Sequence, residues 1–428
     1  MHSLSASKAA RMFRWPVASV AIAAGVVIAL AAGASGSTSP RPGPTGASGG
    51  RSGPAAGAQA LTWSLVPSPN PASEPNSVLT AVSCVSAAAC TAVGAKTDGS
   101  EIGKTLIESW NGTIWSVVPS PNAARARLSF LTGVSCASAA TCTAVGYYFS
   151  TPGADRTLIE SWNGTTWSVV PSPSRGGSLT DVSCASAAAC TAVGSYTTGN
   201  AYKTLIESWN GTTWTVVPSP NPGAGYLYHL LNGVSCVSTA ACTAVGNDST
   251  GSGSPSRTLI ESWNGTSWSV MPSAQPGENN YLNGMSCSAA AAACTAVGSD
   301  LKSGSPARTT LIETRNGTTW SVVPSPNRGH RNWDSLYGVS CVSATACTAV
   351  GAYQDRPVNR TLIESGDGTS WSVVPSPNRG PVSYINDLNG VSCASAAACT
   401  AVGSYTNNSG AQRTLIESGT LPVGSARS

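Results

Sequence analysis

Fourteen cysteines are the residues of this sequence most obviously able to do chemistry, and all of them fall in local pairs. Six pairs are separated by five residues and one by six. This spacing, with no histidine beside any pair, does not fit the usual zinc sites, so no metal or other cofactor is predicted. A redox-active pair is the alternative, but catalysis needs one such site and the pattern occurs seven times. We therefore predict seven structural disulfides: Cys84–Cys90, Cys136–Cys142, Cys184–Cys190, Cys236–Cys242, Cys287–Cys294, Cys341–Cys347 and Cys393–Cys399.

A recurring glutamate is the second candidate for chemistry. It stands at Glu108, Glu160, Glu207, Glu261, Glu313, Glu364 and Glu417. Paired carboxylates hydrolyse glycosidic bonds, but a sevenfold set of equivalent acids is more typical of a scaffold. We expect it to bond backbone N–H groups or the Lys or Arg four or five positions earlier. No catalytic residues are predicted. Acids without a repeat equivalent keep a hydrolase as the alternative: Asp155, Asp248, Asp334 and Asp387.

These residues belong to a unit that recurs seven times, with first cysteines 52, 48, 52, 51, 54 and 52 residues apart. Each unit reads as four short strands, which we call A to D. Strand A ends at the first cysteine and strand B is Cys-Thr-Ala-Val-Gly. Strand C is Thr-Leu-Ile-Glu-Ser-Trp and strand D is Thr-x-Trp-Ser-Val-Val-Pro. Repeats of about 50 residues made of strands indicate a propeller or a solenoid.

Asn-Gly between strands C and D indicates a tight hairpin, because both residues readily adopt positive φ. With a two-residue turn, Trp110 pairs with Thr113 and Glu108 lies opposite Trp115. The tryptophan of strand D recurs in every unit and is predicted to pack between blades.

The two ends of the repeat region favour a closed ring. Residues 61–67 form an isolated strand D, and the last repeat supplies strands A, B and C without a D. Pairing the first strand with the last three would complete the seventh blade and leave no open sheet edge there. We predict an all-β fold, a seven-bladed β-propeller of four-stranded antiparallel blades closed by an N-terminal outer strand.

Val-Gly, Ile-Glu-Ser-Trp, a turn, Thr-x-Trp and Val-Pro together resemble the kelch blade, and this resemblance covers residues 61–418. The units are also similar to secreted actinobacterial propeller-repeat proteins of unassigned function. The sequence departs from kelch in having one glycine after strand B, Asn-Gly in the C–D turn and the cysteine pair. The resemblance implies a propeller; kelch-fold galactose oxidases would further imply copper held by Tyr and His.

Composition bears on the class of partner. Five basic residues precede residue 61 and no acidic ones do, so the repeats carry 18 Lys and Arg against 19 Asp and Glu. A nucleic-acid-binding protein concentrates positive charge in its folded part, so nucleic acid is not predicted as a partner.

The N-terminal 34 residues combine Lys8, Arg11 and Arg14 with an uncharged run from Trp15 to Ala34. This pattern is typical of a secretory signal cleaved after Ala34, with an uncleaved membrane anchor as the alternative. Residues 35–60, rich in Gly, Ser, Pro and Ala, read as a flexible linker, and 61–428 as the propeller. We expect an extracellular monomer, or a protein anchored by its N-terminus and facing outside.

Alternating strands place the A–B and C–D turns on one face and the B–C and D–A loops on the other. The second set varies between repeats and holds the tyrosines, so it is the candidate binding surface. Tyrosines two residues after the strand B glycine (Tyr148, Tyr196, Tyr353, Tyr405) are expected to pack as a structural ring. The candidate ligand-binding residues precede or begin strand A: Tyr228, His229, Tyr281, Trp333, Tyr337 and Tyr384.

The sequence thus favours a non-catalytic module that binds a glycan or an extracellular protein through this loop face. A carbohydrate-active enzyme (a hydrolase, a lyase or a galactose-oxidase-like protein) is one alternative, and a purely structural protein of the cell envelope is another.

Overall fold

The computed structural model describes residues 61–70, 76–97, 103–124, 126–150, 155–173, 176–223, 225–251, 254–288, 293–305, 307–328, 333–355, 358–379 and 385–422. The predicted signal and linker therefore lie outside the described residues. Within the described ranges the protein is all-β, with 28 strands. No helix in those ranges is long and apolar enough to cross a membrane.

The strands, in chain order, are β1 (Thr62–Leu65), β2 (Asn76–Ser86), β3 (Ala89–Thr97), β4 (Gly103–Trp110), β5 (Trp115–Val118), β6 (Leu128–Ser138), β7 (Thr141–Phe149), β8 (Asp155–Trp162), β9 (Trp167–Val169), β10 (Ser178–Ser186), β11 (Ala189–Thr198), β12 (Ala201–Trp209), β13 (Trp214–Val216), β14 (Tyr228–Ser238), β15 (Ala241–Ser249), β16 (Ser256–Trp263), β17 (Trp268–Met271), β18 (Asn279–Ser288), β19 (Ala293–Leu301), β20 (Arg308–Asn316), β21 (Thr319–Val322), β22 (Asp334–Ser343), β23 (Ala346–Asp355), β24 (Val358–Gly366), β25 (Trp371–Val374), β26 (Asn386–Ser395), β27 (Ala398–Thr406) and β28 (Gln412–Thr420).

Beginning at β2, successive groups of four strands form antiparallel blades in the order A, B, C, D, and the four strands of each repeat are hydrogen-bonded neighbours. One parallel residue pair, Gly103 with Leu128, joins blades 1 and 2, and another, Tyr202 with Tyr228, joins blades 3 and 4. These pairs connect the start of a strand C to the start of the next strand A. They therefore place the B–C and D–A loops on the same face, as predicted.

The seventh blade combines the two ends of the chain. Strand β1 pairs with β28 in antiparallel fashion, with Trp63 opposite Gly419, and the sheet order is β1-β28-β27-β26. Blade 7 also contacts blade 1: Asn389 Nδ2 donates to the Leu79 carbonyl at 2.8 Å, and the Cys84 N–H donates to Ser392 Oγ at 2.9 Å. The predicted outer-strand closure is therefore present in the structure.

The hydrophobic core consists of seven clusters, one at each junction between adjacent blades. In the junction between blades 7 and 1, Leu79, Leu106 and Trp115 pack against Val402 and Ile416. Strands B and C read as nearly continuous apolar runs because both sheet faces are covered by neighbouring blades. The prediction that the strand D tryptophan packs between blades is confirmed.

Two rings of hydrogen bonds run around the axis. In every blade the N–H of the first cysteine donates to the Oγ of the strand A serine in the preceding blade, at 2.9–3.0 Å. In six blades a Thr or Asn of strand A donates to a leucine carbonyl of the next blade at 2.7–2.8 Å. The seventh position is Tyr337, which cannot repeat this short contact.

All seven predicted disulfides are formed, with Cα–Cα distances of 3.9–4.1 Å. Each joins directly opposed residues of strands A and B, such as Cys184 and Cys190. The described residues include no free cysteine. Such a density of disulfides is typical of proteins in an oxidising, extracellular compartment.

The predicted register of the C–D hairpin was wrong. Trp110 pairs with Trp115 and Glu108 with Val117, so four residues connect the strands instead of two. The cause is the side chain of Asn111, whose Oδ1 accepts the N–H groups of the second and third residues after it at 3.0 and 2.9 Å. Gly112 supplies the positive φ, +91°. The side chain of the asparagine thus takes the Ile114 N–H that its own carbonyl would accept in a tighter turn, while the Asn111 N–H still donates to the Ile114 carbonyl at 3.4 Å.

The recurring glutamate is a scaffold residue, as predicted, but its main partner differs from the one expected. Every one of the seven is fully buried and accepts a hydrogen bond from the serine of the Pro-Ser segment after strand D of the preceding blade. Ser120, for example, lies 2.9 Å from Glu160 Oε2 and 2.6 Å from Thr105 Oγ1. The serine thus links strands C of two blades, a contact between residues far apart in the sequence.

Candidate functional site

We call the surface formed by the B–C and D–A connections the variable face, and the opposite surface, formed by the A–B and C–D turns, the regular face. The variable face has an uneven distribution of side chains. Its charged and aromatic groups differ from blade to blade; blade 2, for example, carries a Phe130–Tyr147–Phe149 cluster, whereas the regular face repeats nearly the same residues in each blade.

The described charges are also divided unevenly between the faces. Of the thirteen described Lys and Arg residues, twelve lie at the variable face and one, Arg315, at the regular face. Of the sixteen described acids, seven lie at the variable face and seven are the buried scaffold glutamates. Burial raises the pKa of six of those glutamates, to about 8 for Glu108 and about 7 for Glu313. The near-neutral total of the sequence therefore conceals a basic variable face.

The most exposed aromatic group on this face surrounds Arg308 at the start of strand C in blade 5. Its guanidinium carbon lies 4.8 Å from the ring centroid of Tyr281 and 5.1 Å from that of Trp333. Its Nη1 donates to Ser299 Oγ at 3.2 Å. Trp333 is 57% exposed. The two rings hold the guanidinium in a fixed plane. Part of its N–H edge is exposed to solvent, and so is the indole of Trp333.

A second cluster lies in blade 4. The Tyr226 ring centroid is 6.3 Å from that of His229 and 5.8 Å from the Arg257 guanidinium. His229 is fully buried, and its ring nitrogens make no hydrogen bond of normal geometry; burial lowers its pKa. Asp248 is directly opposite His229 in the strand pair. Burial raises the pKa of Asp248 to about 6, and the charge of Arg257 opposes this shift.

Tyr228, the residue before this histidine, stacks on Tyr202 of blade 3 with ring centroids 5.2 Å apart. This pair coincides with the parallel bridge between the two blades. Tyr228 is therefore partly engaged in joining blades, with the remaining part of its side chain available at the surface.

Tyr337 and Asp387 lie at adjacent blades near the axis. Burial raises the pKa of Tyr337, and the nearby Asp387 carboxylate raises it further, while Arg308 opposes the shift. Burial also raises the pKa of Asp387 to about 6, against a hydrogen bond with Asn359. Tyr337 therefore lies between the Arg308 cluster and the central channel.

The channel encloses a cavity of about 310 Å³, lined by strand A residues of all seven blades, including Tyr337 and Asp181. Asp181 Oδ1 accepts the N–H of Val182 at 2.8 Å, and its Oδ2 accepts that of Val234 in the next blade at 2.9 Å. Burial raises the pKa of Asp181 to about 7. Because both of its oxygens bond backbone of adjacent blades, we assign Asp181 a structural role.

Five of the six predicted binding residues are described, and all five lie in or under the variable face. Tyr281 and Trp333 meet at Arg308, while Tyr228, His229 and Tyr337 belong to the neighbouring clusters; Tyr384 lies outside the described residues. Of the tyrosines expected to form a structural ring, Tyr148, Tyr353 and Tyr405 pack against inter-blade clusters, whereas Tyr196 is 37% exposed.

Sequence reasoning missed the arginines that hold these rings. Besides Arg257 and Arg308, the guanidinium of Arg328 lies 5.3 Å from the Tyr353 ring and that of Arg379 lies 5.5 Å from the Tyr405 ring. A signal was present: Pro-Asn-Arg-Gly precedes two of the four repeats that carry Tyr two residues after the strand B glycine. No group of three His, Cys, Asp or Glu suited to a metal ion occurs in the described ranges.

No protein-family model and no curated protein sequence matches the chain. Solved structures of similar architecture share little sequence with it. A GH74 xyloglucanase from Xanthomonas campestris is 12% identical, with a TM-score of 0.47 over 83% of this chain and 55% of the xyloglucanase. A Hadza microbial sialidase is 9% identical, with a TM-score of 0.44 over 76% of this chain and 74% of the sialidase. A protein of unknown function from Dyadobacter fermentans is 8% identical, with a TM-score of 0.44 over 68% and 94%.

Proposed function

We propose that this protein is an extracellular, non-catalytic binding module that recognises a glycan through its variable face. The observation that carries the proposal is the Tyr281–Arg308–Trp333 group, in which an exposed indole lies beside a guanidinium held in a fixed plane. A ring face can cover the apolar side of a sugar while the N–H edge bonds its oxygens. The scaffold below it is rigid, because disulfides and inter-blade bonds hold every blade.

The proposal is tested by presenting the purified full-length protein to an array of plant, bacterial and animal glycans and measuring affinities for those retained. Trp333→Ala and Tyr281→Ala are each expected to weaken binding by about tenfold, since a buried aromatic contact contributes on the order of 1–2 kcal/mol. Trp333 is exposed at the surface, so its removal leaves the fold intact.

Ile114 provides a matched control because it is also 57% exposed but lies in a C–D turn of the regular face. Ile114→Ala should leave glycan affinity unchanged. Equal loss of binding in the Ile114 and Trp333 variants would refute the assignment to the variable face. Absence of binding to any glycan, with binding to a secreted protein instead, would support the protein-binding alternative.

A hydrolase is the second candidate, and Asp248 is the observation that favours it. Its carboxylate is buried, its Oδ1 makes no hydrogen bond, and its pKa of about 6 suits a group that exchanges protons near neutral pH. A panel of chromogenic glycosides would detect such activity. Turnover abolished by Asp248→Asn, with binding retained, would establish an enzyme and replace the non-catalytic proposal.

The finer expectations from the sequence belong to the same proposal. They are the kelch-like origin of the blades, export by a cleaved N-terminal signal or retention by an uncleaved one, and a monomeric state. Separating culture medium, membrane and cell-wall fractions, followed by N-terminal sequencing of the mature protein, distinguishes cleavage after Ala34 from anchoring. A protein found only in the wall and binding no ligand would support the structural alternative.

A further inference from the structure

Four arginines of the variable face share an arrangement that the proposed function does not by itself explain. Each places its guanidinium over a tyrosine ring, and they come from four consecutive units: Arg257 in blade 4, Arg308 in blade 5, and Arg328 and Arg379 in the loops that lead into blades 6 and 7. Blades 1 to 3 have no such contact among the described residues. The feature is thus a track across one side of the toroid.

Stacking on a ring affects how a guanidinium can bind. The ring covers one face of the planar group, which leaves N–H donors along the edge in a fork whose geometry matches a carboxylate or a sulfate. Arg308 uses Nη1 for Ser299 and Arg379 leaves its Nε without a hydrogen bond, although that atom is buried. The buried Nε of Arg379 cannot reach an external anion, but both arginine side chains are partly exposed, so their remaining N–H donors can.

The acids of the track are unevenly placed. The charge of Arg257 lowers the pKa of Asp248, and the charge of Arg328 lowers that of Asp334, in each case against the effect of burial. The Oδ2 of Asp334 also accepts the backbone N–H of Arg328 at 2.6 Å. Among the described residues Arg308 and Arg379 form no ion pair with a carboxylate. These two positions should therefore contribute most to the attraction of an anion.

We infer that the ligand of the variable face is an anionic polysaccharide, bearing carboxylate or sulfate groups, which lies across blades 4 to 7 and contacts the stacked guanidinium groups in succession. This inference rests on the proposed function and specifies its ligand. On blades 4 to 7 the variable face carries seven described cations and six described acids, and burial raises the pKa of three of those acids, Asp248, Asp334 and Asp387, so positive charge is in excess there. A chain of repeated charges can engage several arginines at once, whereas a single sugar reaches one.

The test measures binding of the purified full-length protein to polygalacturonate, dextran sulfate, neutral dextran, monomeric galacturonic acid and double-stranded DNA, at low and at high salt. We expect one or both acidic polysaccharides to bind at least tenfold more tightly than dextran and the monomer, and to weaken as salt is raised. Preference between polygalacturonate and dextran sulfate identifies the charged group as carboxylate or sulfate.

The variants locate the site. Arg308→Ala and Arg379→Ala should each reduce affinity for the preferred polymer by about tenfold or more, because each removes a charge-assisted hydrogen-bond donor. Arg308→Lys should recover little, since an ammonium group lacks the planar fork. Arg315→Ala, at the regular face, is the matched control and should change nothing. Thermal melting of each variant confirms that the fold is retained.

Three results would overturn the inference, and they differ in meaning. Equal binding of dextran and polygalacturonate would remove the acidic specificity while leaving a glycan-binding module. Tighter binding of DNA than of either acidic polysaccharide would show a general polyanion surface. Failure of every saccharide here and on the glycan array would refute the proposed function itself.

Discussion

Replacing Glu160 by glutamine should change the pH dependence of stability in a predictable way. The carboxyl group is fully buried, Ser120 bonds its Oε2 at 2.9 Å, and its Oε1 has no hydrogen-bond partner. Burial raises its pKa from 4.5 to about 8. The folded protein therefore keeps this proton at neutral pH, whereas the unfolded chain releases it near pH 4.5.

A carboxyl group whose folded pKa is raised stabilises the fold fully below the unfolded pKa and loses that contribution as the pH rises through the folded pKa. The window here is from about pH 4.5 to about pH 8. One pKa unit corresponds to about 1.4 kcal/mol, so the loss reaches on the order of 5 kcal/mol above pH 8. Glutamine keeps the shape and remains neutral at every pH, so it avoids this loss.

Thermal unfolding of the parent and of Glu160→Gln, followed by circular dichroism from pH 5 to pH 9, measures the difference. For roughly 330 described residues, 1 kcal/mol shifts the Tm by about 1.5 °C. The variant should match the parent or melt slightly lower at pH 5, and melt up to about 7 °C higher at pH 9.

The control is Glu278→Gln, which makes the same change at an exposed surface glutamate. A Tm difference for Glu160→Gln that stays constant or falls between pH 5 and pH 9 would mean that the buried carboxyl is ionised throughout. The assignment of a neutral ring of glutamates would then be wrong.

Three further substitutions test the scaffold by calorimetry or thermal melting. Replacing Cys184 and Cys190 together by serine should lower the free energy of unfolding by about 2 kcal/mol and the Tm by about 3 °C, because the closed loop is short. A larger loss would mean that the disulfide also holds neighbouring blades together. Trp63→Ala should cost about 3–5 kcal/mol, because Trp63 is the buried anchor of the closing strand β1; an unchanged Tm would mean that β1 does not seal the ring. Gly94→Ala should yield no folded protein, since the added Cβ would lie 2.0 Å from a backbone oxygen of strand A. Gly176→Ala, with its nearest atom at 3.9 Å, should be tolerated.

The blade order, the disulfide pairing and the closure strand could be predicted because they depend on local spacing repeated seven times. Cys184 and Cys190 flank one short turn, so their pairing requires no knowledge of other blades. The lone strand D at residues 61–67 and the missing strand D at the C-terminus complement each other within the sequence itself. Repetition averages out the ambiguity of any single short strand.

The C–D register and the partner of Glu160 were predicted wrongly for a common reason. The register depends on where the Asn111 side chain places its oxygen, and the partner of Glu160 is Ser120 of the preceding blade. In both cases a polar group has several possible hydrogen-bond partners at similar distances. Residue types name the possible donors, but only the packed backbone decides which donor is close enough.

The candidate site divides in the same way. The sequence by itself determined that a toroid of oxidised blades would present one repetitive and one variable face, and that Tyr281 and Trp333 belong to the variable one. Only the tertiary structure showed that Arg308 lies between these two rings, that His229 is buried beneath the surface, and that the seven recurring glutamates are buried and add no charge to the surface. The reason is physical: covalent spacing sets which residues recur, whereas the sign and shape of a surface depend on which side chains remain in contact with water.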